Sequence, residues 1–145
     1  WAAFIAWGCF FHCGGKEQGL QSAILTNAAG AVIGGLTLLA AGAAIGGSLP
    51  AAVWPAICVG IGVAAMVLLA NVPVFSVIPA QVYGFASVVA YTLMKDAGGS
   101  LTAASMENPV VVIILSMIIG AVFGYVSEKV AGMLADAGHP RHAKA

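Results

Sequence analysis

The sequence predicts an all-α fold: a polytopic transmembrane helix bundle with four full spans plus a partial N-terminal helix, its fourth segment proline-kinked or broken. Three observations carry this. First, 61% of the 145 residues are hydrophobic and only 7% are charged, whereas soluble domains carry about 25% charged residues. A chain of this size cannot hide so much apolar surface in a single core, so its solvent is lipid; the mean hydropathy of +1.04 agrees. Second, the apolar residues fall into runs close to the roughly 20 needed for a helix to cross a hydrocarbon core of about 30 Å. Third, the runs are separated by Gly, Pro and Asn with very few charges.

The elements follow in order. Trp1 to Cys13 is an apolar run of 13 residues, about 20 Å of helix. That is too short to span, and a further helix is expected upstream of Trp1. Gly14-Gly15-Lys16-Glu17 breaks the run. A second helix is expected from Gln18 to Ile45, followed by the uncharged turn Gly46-Gly47-Ser48-Leu49-Pro50. A third runs from Ala51 to Ala70, with Pro55 in its first turns, where proline is tolerated. The fourth needs Pro73 to Met94 to reach full length. Pro79 then lies inside it, removing the amide that would bond the carbonyl of Phe75 and kinking the helix. Lys95 to Asn108 reads as a polar loop and Pro109 to Ala135 as the fifth helix. Residues 1–135 thus form one transmembrane domain, and 136–145 a polar tail.

Five basic and five acidic residues leave no net charge, which argues against nucleic acid as a partner. The few positive charges set the orientation. Lys129, Arg141 and Lys144 place the C-terminus in the cytoplasm. Counting back, Trp1, Trp54 and Tyr91 come near the outer interface and Tyr125 near the inner one, where amphipathic rings settle.

Small residues mark packing faces. Ala23, Asn27, Gly30, Gly34, Thr37 and Ala41 recur at intervals of three and four, opposite Leu25, Val32, Leu36 and Leu39. Ser116, Gly120, Gly124, Ser127 and Ala131 form a similar stripe. The pairs Gly30/Gly34 and Gly120/Gly124 allow close backbone approach, either within one chain or between subunits.

The chemistry of the sequence is sparse. No ionisable residue falls in the middle of a predicted span, and intramembrane charges commonly mark ion or proton coupling. A coupled pump is therefore not expected. Cys9, His12 and Cys13 can share a helix face. A metal site would need further ligands from Cys58, His139 or His142, and the spacing matches no familiar zinc pattern. No metal and no cofactor are expected, and Cys9, Cys13 and Cys58 form no disulfide framework. His12 reads as an interfacial or pore-mouth residue. Asn27, Gln81 and Ser87 are neutral polar groups inside predicted spans. Gln81 lies close to the carbonyl that Pro79 frees, and helix ends at membrane depth can offer backbone groups to a solute. There is no nucleophile–base pair, no phosphate loop and no carboxylate pair, so no enzyme is expected.

Several stretches together resemble the YcdZ-like family of small bacterial inner-membrane proteins. They are Trp1-Ala-Ala-Phe4, Phe10-Phe11-His12-Cys13-Gly14-Gly15, Gly19-Leu20, Ile78-Pro79, Tyr83-Gly84-Phe85-Ala86 and Ile119-Gly120-Ala121-Val122-Phe123-Gly124-Tyr125. The resemblance implies a multi-pass protein of the bacterial inner membrane and transfers no catalytic or binding residue. The residues themselves suggest an oligomeric channel or facilitator for a small neutral solute, its path near Gln81, Tyr83, Asn27 and His12. The reading of another class is a structural or accessory subunit packed against a partner in a larger membrane complex.

Overall fold

The computed structural model describes residues 1–43, 49–50 and 52–138. Most of the turn expected at Gly46–Pro50, the predicted helix end at Ile45, and the tail from His139 onward lie outside the described residues. Five α-helices are present, α1 (Ala2–His12), α2 (Lys16–Ala41), α3 (Val53–Leu69), α4 (Ile78–Met94) and α5 (Pro109–Gly138), and no strand occurs among the described residues. Short 3-10 turns at Pro73–Phe75 and Gly98–Ser100 flank α4.

Among the described residues two helices, Lys16–Ala41 and Pro109–Ala135, are long and apolar enough to cross a membrane. This corrects the expectation of four full spans. The third and fourth segments yield helices of 17 residues each, about 25 Å. The fourth is shortened because its prolines are not absorbed into one kinked helix. Pro73 opens a 3-10 turn, Val77 is the non-helical cap, and Pro79 sits in the first two positions of α4. There its missing amide removes no helical bond and its fixed φ suits the helix start. Pro79 therefore begins a helix rather than kinking one.

The second helix starts at Lys16, two residues before its predicted start, because α5 supplies the cap. The Lys16 amide donates to Glu128 Oε2 at 2.8 Å, satisfying one of the orphan donors of a helix N-terminus. Gly15 enters this turn at φ +67°, with Glu128 so close that a β-carbon would collide with its carboxylate. Glu128→Ala should cost about 1 kcal/mol, the usual worth of a cap. Thermal unfolding in detergent checks this, with Glu107→Ala in the loop before α5 as a control expected to stay near wild type.

Helix α2 is the centre of the bundle. It packs most extensively on α4 and also meets α5, α3 and α1, while α1 lies mainly along α5. Small residues set these crossings. At Gly30 a β-carbon would strike the Gln81 backbone, at Gly84 the Asn27 backbone, and at Gly120 the Ala3 backbone. Gly34 faces Phe85, and Gly124 faces the Phe10 ring. All four glycines singled out in the sequence thus face a helix of their own chain. Leu25, Val32, Leu36 and Leu39 lie exposed on the other side of α2, and Ile57, Ile61, Val67 and Leu68 are exposed on α3, as suits lipid-facing positions. Trp54 Nε1 donates to the Ala40 carbonyl at 3.0 Å, tying the start of α3 to the end of α2.

Candidate functional site

The break between α3 and α4 leaves non-helical backbone that needs partners. Such backbone is tolerated at membrane depth only where protein buries it or a water-filled cavity meets it. Side chains of the neighbouring helices supply much of what is needed. Gln81 Nε2 donates to the Phe75 carbonyl at 2.8 Å, the acceptor that a helix through Pro79 would also have freed. Thr26 Oγ1 of α2 donates to the Val74 carbonyl at 3.3 Å. The carbonyls of Pro73 and Val77 accept from Ser76 and Ala80 within the segment.

On its outer side the broken segment walls an open groove of about 400 Å³. Cys13, Gln18, Gln21 and Ser22 line one side and Pro73 and Ser76 the other. Two amides and two hydroxyls face this space, and among the described residues its lining has no Asp, Glu, Lys, Arg or His. Gln18, Gln21, Ser22 and Leu25 are spaced i, i+3, i+4 and i+7, one helix face. That periodicity was available in the sequence, but the wall opposite was not. A second depression, about 670 Å³, lies along the last turns of α2 beside Thr37, Thr92 and Asp96. The two openings therefore sit at opposite ends of α2.

The four residues expected near a path fall elsewhere, and none lines the groove. Asn27 and Gln81 are buried at the α2–α4 crossing, 1% and 0% exposed. Tyr83 is half-buried, and its ring meets the exposed His12 ring edge-on at 6.2 Å between centroids. His12 thus belongs to a ring contact at the end of α1. Asn27 Nδ2 donates to the Ala23 carbonyl at 2.8 Å and to Cys9 Sγ at 3.2 Å. Among the described residues, three buried side-chain atoms lack hydrogen-bond partners: Asn27 Oδ1, Gln81 Oε1 and Ser87 Oγ. Buried polar atoms in this state are uncommon and costly.

Cys9 and Cys13 stand one turn apart with their sulfurs 3.9 Å from each other. Cys13 lies outside the helices, in the turn after α1. The Cys9 thiol donating to it lowers the Cys13 pKa to about 7; Ser22 acts in the same direction and partial burial opposes it. His12 turns to Tyr83 and does not join the pair. Among the described residues no three His, Cys, Asp or Glu side chains converge as a metal cluster.

The same end of the bundle carries the ion pair of α2 with α5. The Tyr125 hydroxyl donates to Glu17 Oε1 at 3.0 Å, and Lys129 Nζ lies 3.5 Å from the same oxygen. Both charged side chains are well exposed, so the pair adds little to stability.

No curated protein and no solved structure matches the chain. A family model does, over residues 1–132, a range that takes in the groove, the broken segment and the glycine-lined crossings of α2 with α4 and of α1 with α5. The chain is thus a member of the DUF1097 family, described as proteins of unknown function.

Proposed function

We propose that this protein is an oligomeric channel or facilitator for a small neutral solute in the bacterial inner membrane. The location draws on the family resemblance, and the two long apolar helices are compatible with it. One observation carries the functional reading: a helix broken near one end of the bundle walls a groove lined by amides and hydroxyls, without a carboxylate or an ammonium. Such a lining exchanges hydrogen bonds with an uncharged solute, while an ion would find no compensating charge there. The second opening at the far end of α2 and the unpartnered oxygens of Asn27 and Gln81 between them support the same reading. At the crossing itself the Gly30 and Gln81 backbones touch. Passage therefore requires that crossing to loosen, or a route between protomers.

The test is swelling of proteoliposomes in small amides and polyols. The expected result is faster swelling than empty vesicles for at least one of them, reduced several-fold by Ser22→Trp, which fills the groove. Rates equal to empty vesicles for every solute overturn the proposal. Recovery of a stoichiometric partner on gentle detergent extraction would instead favour an accessory subunit of a larger complex.

A further inference from the structure

We infer that Cys13 is a peroxide-reactive thiol and that Cys9 resolves its sulfenic acid, the two closing a reversible disulfide at the end of α1. Both are free thiols with their sulfurs 3.9 Å apart. The Cys13 amide donates to the Cys9 carbonyl at 2.9 Å, which sets the two residues one helical turn apart. Helix geometry then puts their α-carbons about 6 Å from each other, inside the range of about 4.4–6.8 Å that a disulfide spans.

The two thiols differ in access. Cys9 is 1% exposed within the bundle. Cys13 lies in the turn after α1 and lines the groove beside Gln18, Gln21 and Ser22. A small polar oxidant therefore meets Cys13, and Cys9 meets only the product. The Cys9 S–H, with Ser22 acting the same way, lowers the Cys13 pKa to about 7. Much of it is thiolate at neutral pH, and the thiolate is the nucleophile. An accessible thiolate poised beside a second thiol is the arrangement in which a sulfenic acid condenses to a disulfide.

Atoms and electrons balance. The Cys13 thiolate attacks one oxygen of hydrogen peroxide; the O–O bond breaks and an S–O bond forms. The departing hydroxide takes up the proton that the thiol released, giving one water. The Cys9 sulfur then attacks the Cys13 sulfur; the S–O bond breaks, the S–S bond forms, and the Cys9 proton leaves with the hydroxide as a second water. The two thiols lose two electrons and the peroxide gains them. Reversibility follows from the spacing. β-Carbons four residues apart on a helix stand about 5–6 Å from each other, against about 3.5–4.5 Å across a relaxed disulfide. Closure draws in the last turn of α1, and Cys13 is already past the last helical residue, followed by Gly14 and Gly15 at φ +93° and +67°. The adjustment thus falls on a helix end, and the strain that remains makes the bond easy to reduce. Asn27 Nδ2 keeps its bond to the Ala23 carbonyl when the Cys9 sulfur turns away. The inference does not depend on solute passage.

The experiment treats the reduced full chain in detergent micelles with hydrogen peroxide, alkylates the remaining thiols and weighs the tryptic peptides. Cys9 and Cys13 fall in one peptide, residues 1–16. The expected result is that this peptide escapes alkylation and loses about 2 Da, the two hydrogens of a disulfide, while Cys58 stays alkylated. Dithiothreitol should restore the mass. In Cys9→Ser the sulfenic acid should persist at Cys13, and a cyclic 1,3-dione should trap it at least tenfold more than in the wild type. In Cys13→Ser, at a half-buried position, Cys9 should stay reduced. An unshifted wild-type peptide, a bond to Cys58, equal trapping in wild type and Cys9→Ser, or oxidation of Cys9 in Cys13→Ser would overturn the inference. If Cys9→Ser fails to fold, the wild-type peptide map and Cys13→Ser still decide it.

Discussion

Gly30→Ala is expected to destabilise the bundle by about 3 kcal/mol, at the upper end of what overpacking costs. The added β-carbon would meet the backbone of Gln81, not a movable side chain. Neither helix can yield locally, because Gly84, one turn further along α4, is pressed against the Asn27 backbone in the same way. Relief therefore requires α2 and α4 to separate as whole helices, which would break the largest contact in the fold. Gly120→Ala should behave alike, since its β-carbon would meet the Ala3 backbone where α5 crosses α1. Gly60→Ala and Gly132→Ala meet nothing within 4 Å. They are expected to be neutral or to gain up to about 1 kcal/mol from helix propensity. Thermal unfolding of the four variants in one detergent decides the matter. If Gly30→Ala melts with Gly60→Ala, the crossing is looser than described.

Gln81→Leu is the second large effect, a loss of about 2–3 kcal/mol. Its Nε2 is the group that satisfies the Phe75 carbonyl, and Gln81 is itself fully buried. Leucine fills most of the same volume but leaves that carbonyl without its donor. Stranding one half of a buried hydrogen bond costs the desolvation of the group left behind. Gln81→Glu should be worse at neutral pH, because an ionised carboxylate would face the carbonyl oxygen it replaces a donor for. Below the carboxylate's pKa the protonated acid can donate, so this variant should recover as the pH falls, whereas Gln81→Leu should not. Thr26→Val removes only a longer bond, 3.3 Å to the Val74 carbonyl, and should cost about 1 kcal/mol. Unfolding midpoints at neutral and acid pH test all three. Equal midpoints for Gln81→Leu and Thr26→Val would show that Phe75 finds another donor.

The two cases bear differently on what could be read beforehand. The stripes of small residues on α2 and α5 are periodic, and periodicity follows from the helix alone. Their partners are not: Gly30 meets a residue 51 positions later and Gly120 one 117 positions earlier. The link between Gln81 and Phe75 is local, and the short separation brought it within reach of sequence reasoning. The groove illustrates the opposite limit. Gln18, Gln21 and Ser22 form a visible helix face, but a face becomes a site only when another segment stands across from it.

Pro79 marks the boundary most clearly. A proline inside an apolar run dictates that the helix cannot continue unchanged, and so apolar a composition predicts helices, because backbone groups in hydrocarbon would have to be satisfied within the segment. Whether that proline kinks a long helix or begins a short one is a contest between span length and hydrogen-bond partners. Tertiary structure settled it. Thr26 of α2 and Gln81 of α4 satisfy the broken backbone from outside, so the interruption costs less than its length deficit suggests. The start of α2 was settled in the same way, by the Glu128 carboxylate arriving from α5. The residues alone gave an all-helical chain and the regions where its apolar runs are interrupted, around Gly14-Gly15, Asn71 to Pro79 and Lys95 to Asn108. Which glycine meets which helix, which side chain caps which break, and which polar face becomes a groove depend on groups distant in the chain, and only packing brings those together.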